Sequence, residues 1–283
     1  MKRLFKKLIP AALLTGVLAL TLTACGGGSD SGNDLEVIQS KGKVVLGTAA
    51  DYPPFEFMDK ENNYVGMDID LAKEVAKDLG VELEVNDMQF ESLITALNSD
   101  KVDMIISGMN PDEERKKSVD FSDIYYESKH YMIVRKSDVD TLKTEDDLKG
   151  KKIGVQLGST QEKLVREKFP ESEIETLPAI PDLMMILESG KVDAVVTEDA
   201  VAENYAQTSD KLALNGLEYT DGETGVAVAV RKGNPELVAE LNKTIKRLKD
   251  EGKIDQFYKD AVELSKTIGV DSGSEEDAAE EDK

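Results

Sequence analysis

Residues 97–107 read LNSDKVDMIIS, and residues 187–197 read LESGKVDAVVT. The two stretches lie 90 positions apart and share five identities, Leu, Ser, Lys, Val and Asp, at matching places. Each is the end of an amphipathic helix, a tight polar turn and an apolar run entering a sheet. Such an echo predicts two similar α/β units rather than one very wide sheet. The run ends on a polar residue in both copies, Ser107 in one and Thr197 in the other. Ligands of open α/β sheets bind beyond the carboxyl ends of the strands. Two such units set face to face deliver both polar groups into one cleft.

The flanking sequence extends each unit. Lys43 to Thr48 is a Val-rich strand. Asp68 to Leu79 places Ile69, Ala72, Val75, Ala76 and Leu79 at helical spacing, with Gly80 as the stop. Val81 to Val85 alternates like a strand, Phe90 to Asn98 puts Leu93, Ile94 and Leu97 on one helical face, and Val102 to Ser107 reads as a buried strand. This βαβαβ order implies a mostly parallel sheet flanked by helices. The second unit opens with a strand over 151–155. The turn Gly158-Ser159-Thr160-Gln161-Glu162 follows, with capping-box spacing between Ser159 and Glu162. Free N–H groups at such a helix start suit a carboxylate or phosphate, although a plain helix cap has the same sequence. A strand over Val226–Arg231 and helices over Pro235–Lys249 and Ile254–Leu264 read as a return to the first unit. The expected lobes are 41–130 with 227–266, and 131–226. Two crossings, near 130–133 and 225–227, make a hinge.

The N-terminus has its own logic. Met1 to Lys7 carries Lys2, Arg3, Lys6 and Lys7, Leu8 to Leu22 is nearly all apolar, and Leu22-Thr23-Ala24-Cys25 follows. That is the pattern of a secretory signal, too short for a stable membrane span. Cys25 is the only cysteine, and its setting resembles a bacterial lipobox. The expectation is a signal peptide over 1–24, a lipidated Cys25 and a flexible linker over 25–40, GGGSDSGN at its start. The protein would then be lipid-anchored on the extracytoplasmic face of the cell membrane, as on the outer face of a single-membrane bacterium. A lone cysteine excludes internal disulfides, so stability must come from burial. The formal net charge of −22 argues against nucleic acid as a partner. Residues 267–283, which end in DSGSEEDAAEEDK, read as a disordered acidic tail.

Four segments between the elements carry candidate binding groups: Ala50 to Phe57 with Asp51 and Tyr52, Asp87 to Glu91 with Phe90, Ser107 to Arg115, and Gly158-Ser159-Thr160 with Thr197-Glu198-Asp199. Taken singly, each has a bland alternative. Arg115 sits in a charged run, Phe90 suits a core, and Asp51 can cap its loop. His130 is the one histidine, in an expected crossing strand, and carries no proposed metal or catalytic role.

With VGMDIDLAKEV (65–75), IISGMNPDEERKKSVDFSDIYY (105–126) and GKKIGVQLGSTQE (150–162), the chain resembles a family 3, polar amino acid solute-binding protein of a bacterial ABC importer. The resemblance covers nearly the whole ordered body. It implies the two-lobed, type II periplasmic-binding-protein-like fold, a free amino acid as ligand, an ABC permease as partner, no cofactor, no enzymatic activity, and a monomer. It also implies roles. Arg115 grips the ligand carboxylate with help from N–H groups near Asn110 and Thr160. The Gly108 carbonyl, Asn110 and Glu198 meet the ammonium. Tyr52 and Phe90 sandwich the side chain, with Ser107, Ser159 and Asp51 nearby. Three positions depart from the familiar pattern: Asn110 where Ser or Thr is common, Glu198 where Asp is common, and Ala49 where Asp is frequent. Asp51 and Asp68 are candidate replacements for that last acid and lean toward a cationic or amide side chain. A dehydratase of the cyclohexadienyl type and a sensor module are the alternatives on the same fold.

Overall fold

The computed structural model describes residues 33–220 and 225–268. The expected signal peptide, Cys25, the GGGSDSGN stretch apart from Asn33, and the acidic tail beyond 268 lie outside the described residues.

Two five-stranded sheets form the body. The first runs Glu82–Asp87, Lys43–Thr48, Met104–Ile105, Ala229–Arg231, Val119–Phe121. Its first three strands are parallel, and Ala229–Arg231 is antiparallel to both neighbours. The second sheet runs Glu173–Leu177, Lys152–Gln156, Ala194–Glu198, His130–Arg135, Leu212–Tyr219. Again three strands are parallel, and His130–Arg135 is antiparallel to both neighbours. The order of the two sheets is the same. The fourth strand of the second sheet follows the first sheet's Val119–Phe121 in the chain, and the fourth strand of the first follows the second sheet's Leu212–Tyr219. The chain thus passes between sheets twice, and each lobe is completed by a strand arriving from the other.

The repeated KVD explains itself at this join. In the first lobe Asp103 Oδ2 accepts from the Val45 N–H at 3.0 Å, and in the second Asp193 Oδ2 accepts from the Lys152 N–H at 2.9 Å. Each acid ties its strand to the second strand in the order of its sheet. The last residue of each incoming fourth strand is an arginine. Arg231 Nη1 donates to the carbonyls of Leu97 and Val102 at 3.3 and 2.8 Å. Arg135 Nη1 donates to Leu187 and Val192 at 2.8 and 2.5 Å. Each arginine also pairs with the motif's aspartate, at 3.4 Å for Asp103 and 3.5 Å for Asp193. The Leu97 and Leu187 carbonyls also accept from the Asp100 and Gly190 N–H groups, so each arginine adds a second donor at the helix end and a donor for the turn's last carbonyl. Gly47 and Gly154 complete the match. A Cβ on Gly47 would stand 3.1 Å from Val102 and 3.3 Å from Leu93. One on Gly154 would stand 3.0 Å from Leu183 and 3.1 Å from Val195.

Several elements differ from their expected limits. The run over Val102–Ser107 is paired as a strand only at Met104–Ile105, and the run from Val226 only from Ala229, with Val226 bridging Tyr126. Both runs are buried throughout; apolarity marks the core, and hydrogen-bond register sets strand length. The helix expected from Phe90 begins as a 3₁₀ turn, Phe90–Ser92, before Leu93–Asn98. The linker expected over 25–40 gives way to a helix, Asp34–Lys41. Asp34 bonds Arg231 at 2.8 Å through its side chain and Asn234 at 2.9 Å through its N–H, partners about 200 residues away that no local reading supplies. The last helix, Lys253–Ile268, reaches the second lobe, where Ser265 accepts from Asn204 of the Asp199–Thr208 helix at 2.5 Å.

Candidate ligand-binding cleft

The carboxyl ends of both sheets face one cleft, and the two lobes close on each other there. A small three-stranded sheet, Asp51–Tyr52, Glu56–Met58 and Tyr64–Val65, hangs the loop after the first strand over it. From this loop Tyr52 reaches across, its hydroxyl 2.9 Å from Thr197 Oγ1 and accepting from the Glu198 N–H at 3.2 Å.

The turn after Met104–Ile105 supplies the next groups. Gly108 has a φ of 52°, and a Cβ there would stand 3.0 Å from the Tyr52 ring. Only glycine combines that conformation with that approach. Asn110 is buried at the centre. Its Nδ2 donates to Glu198 Oε1 at 2.9 Å and to the Gly225 carbonyl at 3.1 Å, and its Oδ1 accepts from Thr160 Oγ1 at 3.0 Å. Asn110 thus bridges the lobes with both halves of its amide, which Ser or Thr could not do. Arg115, 8 % exposed, leaves the charged run and turns inward. Nη1 donates to the Asn110 carbonyl at 2.8 Å and Nη2 to the Gly158 carbonyl at 3.0 Å. Its guanidinium lies 5.3 Å from the centre of the Phe90 ring, a favourable cation–π distance.

Glu198, fully buried, ends the strand Ala194–Glu198. Oε1 accepts from Asn110 and from Gln161 Nε2 at 3.0 Å, with His130 Nδ1 3.4 Å away. Oε2 has no partner among the described residues. A buried carboxylate held on one oxygen and open on the other is suited to a cation. Asp51 is half-buried, and its Oδ1 has no partner among the described residues. Burial, then Asp87, Asp182 and Glu91, push its carboxyl up to about 7. The cleft therefore has a guanidinium at one point and two separate carboxyls at others.

Two expected ligand groups are engaged elsewhere. Ser159 caps the helix Thr160–Lys168, accepting from the Glu162 N–H at 3.1 Å and donating to the Gln156 carbonyl at 2.7 Å. The expected box is incomplete, because the Glu162 carboxylate takes the Gly158 N–H at 2.9 Å instead. Ser107 accepts from the Ala49 N–H at 3.1 Å and donates to Glu56 at 2.6 Å, beneath the turn. Gln161, which donates to Glu198, and Glu56, which accepts from Ser107, are further partners of the site that the local sequence pattern does not single out. Asp68 touches the cleft only through the Gly108 N–H, at 2.8 Å.

Two α/β lobes, joined by two chain crossings and closed over buried groups of both signs, define a ligand-capturing protein of the two-lobed class. The chain belongs to the bacterial extracellular solute-binding proteins, family 3, whose family profile matches residues 44–262. The arginine-binding extracellular protein ArtP of Bacillus subtilis is 44 % identical over 253 residues, 87 % of this chain and 94 % of ArtP. ABC transporter arginine-binding protein 1 of Escherichia coli is 36 % identical over 213 residues, 74 % of this chain and 86 % of that protein. An amino acid ABC transporter substrate-binding protein from Streptococcus pneumoniae, solved bound to L-arginine, matches with a TM-score of 0.80 at 35 % identity, covering 82 % of this chain and 98 % of that one. The ancestral amino acid-binding protein AncCDT-1, a precursor of cyclohexadienyl dehydratase, matches with a TM-score of 0.74 at 37 % identity, covering 81 % of this chain and 99 % of that one.

Proposed function

We propose that the protein captures a free amino acid with a cationic side chain, arginine foremost, and delivers it to the permease of an ABC importer. The observation that carries this is the charge layout of the cleft, with Arg115 inward over Phe90 and Glu198 buried with one open oxygen. A free amino acid presents a carboxylate and an ammonium a few bonds apart. Arg115 takes the carboxylate bidentately, exchanging its two carbonyl partners for it, with the Thr160 hydroxyl alongside. Gly108, Asn110 and Glu198 take the ammonium, which replaces the Asn110–Glu198 bond. Tyr52 and Phe90 flank the side chain, and Asp51 receives its distal charge. The arginine-binding relatives support this choice of ligand.

No catalytic residue is assigned. A dehydratase needs a positioned general acid or base, and Glu198 is held by Asn110 and Gln161 in a way that suits a cation. Residues 1–24 are read as a signal peptide and Cys25 as the lipidated N-terminus of a monomer. A diacylglyceryl group anchors stably where one chain does not, and tethering raises the local concentration of the receptor beside its permease. Cys25→Ser should move the protein from the membrane fraction to the medium; retention in the membrane overturns the anchor.

A thermal-shift screen of the twenty amino acids tests the ligand. At about 100 times its Kd a ligand stabilises by about 2.7 kcal/mol, which raises Tm by roughly 5–10 °C in a body of this size. L-Arginine should give the largest shift; no shift with any amino acid refutes the assignment.

A further inference from the structure

Beneath the turn that carries Gly108 and Asn110 lie two carboxyl groups, Glu56 and Asp68, both 0 % exposed. Glu56 opens the short strand Glu56–Met58, and Asp68 stands in the first turn of the helix Met67–Leu79. Glu56 Oε2 is buried without a partner among the described residues, and Asp68 is its neighbouring acid. The partners that both carboxyls have belong to the turn or its support. Ser107 Oγ donates to Glu56 Oε1 at 2.6 Å, the Gly108 N–H donates to Asp68 Oδ2 at 2.8 Å, and the Tyr125 hydroxyl lies 2.8 and 2.9 Å from the two oxygens of Asp68. Among the described residues, the titratable groups facing the pair are Asp51 and Tyr52 from the overhanging loop and Tyr125 from the segment after Val119–Phe121. None of these is a cation. Two ionised carboxylates side by side in a dry site without a cation are not sustainable.

A proton on Glu56 resolves the conflict. Neutral Glu56 donates to Asp68 and accepts from Ser107. Asp68 then accepts three donors, Glu56, Gly108 and Tyr125, and stands in the first turn of its helix, where negative charge is favoured. Burial, and then Asp68, push Glu56 well above the usual carboxylate range. Burial also raises Asp68, to about 6, against the lowering effect of Gly108, Tyr125 and Glu56. The Gly108 and Tyr125 donors on Asp68, and its place in the first turn of the helix, assign Glu56 the acid and Asp68 the carboxylate.

We propose that Glu56 and Asp68 are positioning residues of the ligand site, sharing one proton that fixes Ser107 and Gly108 and so aims Gly108 and Asn110 into the cleft. The inference rests on the amino acid-binding reading above. Neither residue touches the ligand. Glu56 acts as a hydrogen-bond donor, not as a charge, and glutamine reproduces that donor and the acceptor that Ser107 needs.

Infrared spectroscopy and calorimetry on the purified protein test the shared proton and its consequence separately. At pH 7 in an Asp51→Asn background, which removes the other carboxyl raised to about 7, the protein should show the carbonyl stretch of a buried protonated carboxylic acid, and adding Glu56→Gln should remove it. Arginine affinity should stay within about threefold in Glu56→Gln, while Glu56→Ala and Asp68→Asn lower it roughly tenfold or more, the loss of a hydrogen bond to a charged or buried partner. The native wild type keeps a proton that the unfolded chain releases near the ordinary value of 4.5. Its stability therefore falls as pH rises above that value, and the Tm advantage of Glu56→Gln over wild type should grow with pH. No acid band in the Asp51→Asn background, or a Glu56→Gln variant as weak as Glu56→Ala, overturns the inference. If the wild type binds no amino acid, the proposed function fails instead, while the band and the Tm series still report on the proton.

Discussion

Arg115 holds a carbonyl of each lobe, Asn110 and Gly158, and lies over Phe90. Charge-assisted hydrogen bonds contribute roughly 1.5–3 kcal/mol each. Arg115→Ala should therefore weaken ligand binding by about 100-fold or more while circular dichroism stays native, and Arg115→Lys should not rescue it, because an ammonium lacks the planar fork. Unchanged affinity would remove Arg115 from the carboxylate site. Asp51 makes a prediction in pH. Its carboxyl is raised from 3.8 to about 7, so between these values the native protein holds a proton that the unfolded chain has lost. Stability falls as pH rises through that window. Asp51→Asn should thus gain in Tm over wild type between about pH 4 and 7 and keep that gain above it. A cationic side chain prefers the ionised form, so wild-type arginine affinity should rise with pH up to about 7, and the variant's should not. A flat wild-type profile would place the ligand's distal charge elsewhere. The residue types in the cleft were legible in the sequence; which atoms they use was not. Ser159 and Ser107 both stand where a ligand group was expected, yet one caps a helix and the other rests on Glu56. Such bonds depend on where neighbouring segments arrive.

At the level of elements, the KVD echo and the two arginines form equivalent clasps, so they should fail alike. Arg135 and Arg231 keep 19 % and 15 % of their side chains exposed, and removing either takes a partner from two carbonyls and from more than one aspartate, Asp193 and Asp138 for Arg135, Asp103, Asp34 and Asp100 for Arg231. Arg135→Leu and Arg231→Leu should each cost roughly 1.5–3 kcal/mol in denaturant unfolding; a change below about 0.5 kcal/mol would mean the clasp is decorative. Gly154→Ala should cost a further ~1–3 kcal/mol by overpacking against Leu183 and Val195. The echo revealed the repeated helix–turn–strand because both copies obey the same local rules of apolar period and turn chemistry. The arginines escaped notice because they lie outside the repeat, on strands lent by the opposite lobe. The Asp34–Lys41 helix escaped for the same reason: it follows a Gly/Ser-rich run, and its fixed point is Arg231.

The molecule as a whole is a pair of matching sheets, each completed by a strand that arrives from the other. Two crossings and the terminal helix, reaching Asn204 through Ser265, join the lobes. Across the cleft the closed form is held by polar bonds, Tyr52 to Thr197 and Glu198, Asn110 to Glu198 and Thr160, and Arg115 to Gly158. A ligand that replaces these bonds with stronger, charge-assisted ones shifts the population toward closure. The chain is a family 3 solute-binding protein.

Titration calorimetry of the purified protein with L-arginine tests the central claim most directly. One arginine per chain should bind, with affinity lost in Arg115→Ala and sharply reduced in Glu198→Gln, which keeps the size of the side chain and removes the charge that meets the ammonium. No heat of binding with arginine or any other free amino acid, or full affinity in both variants, would contradict it.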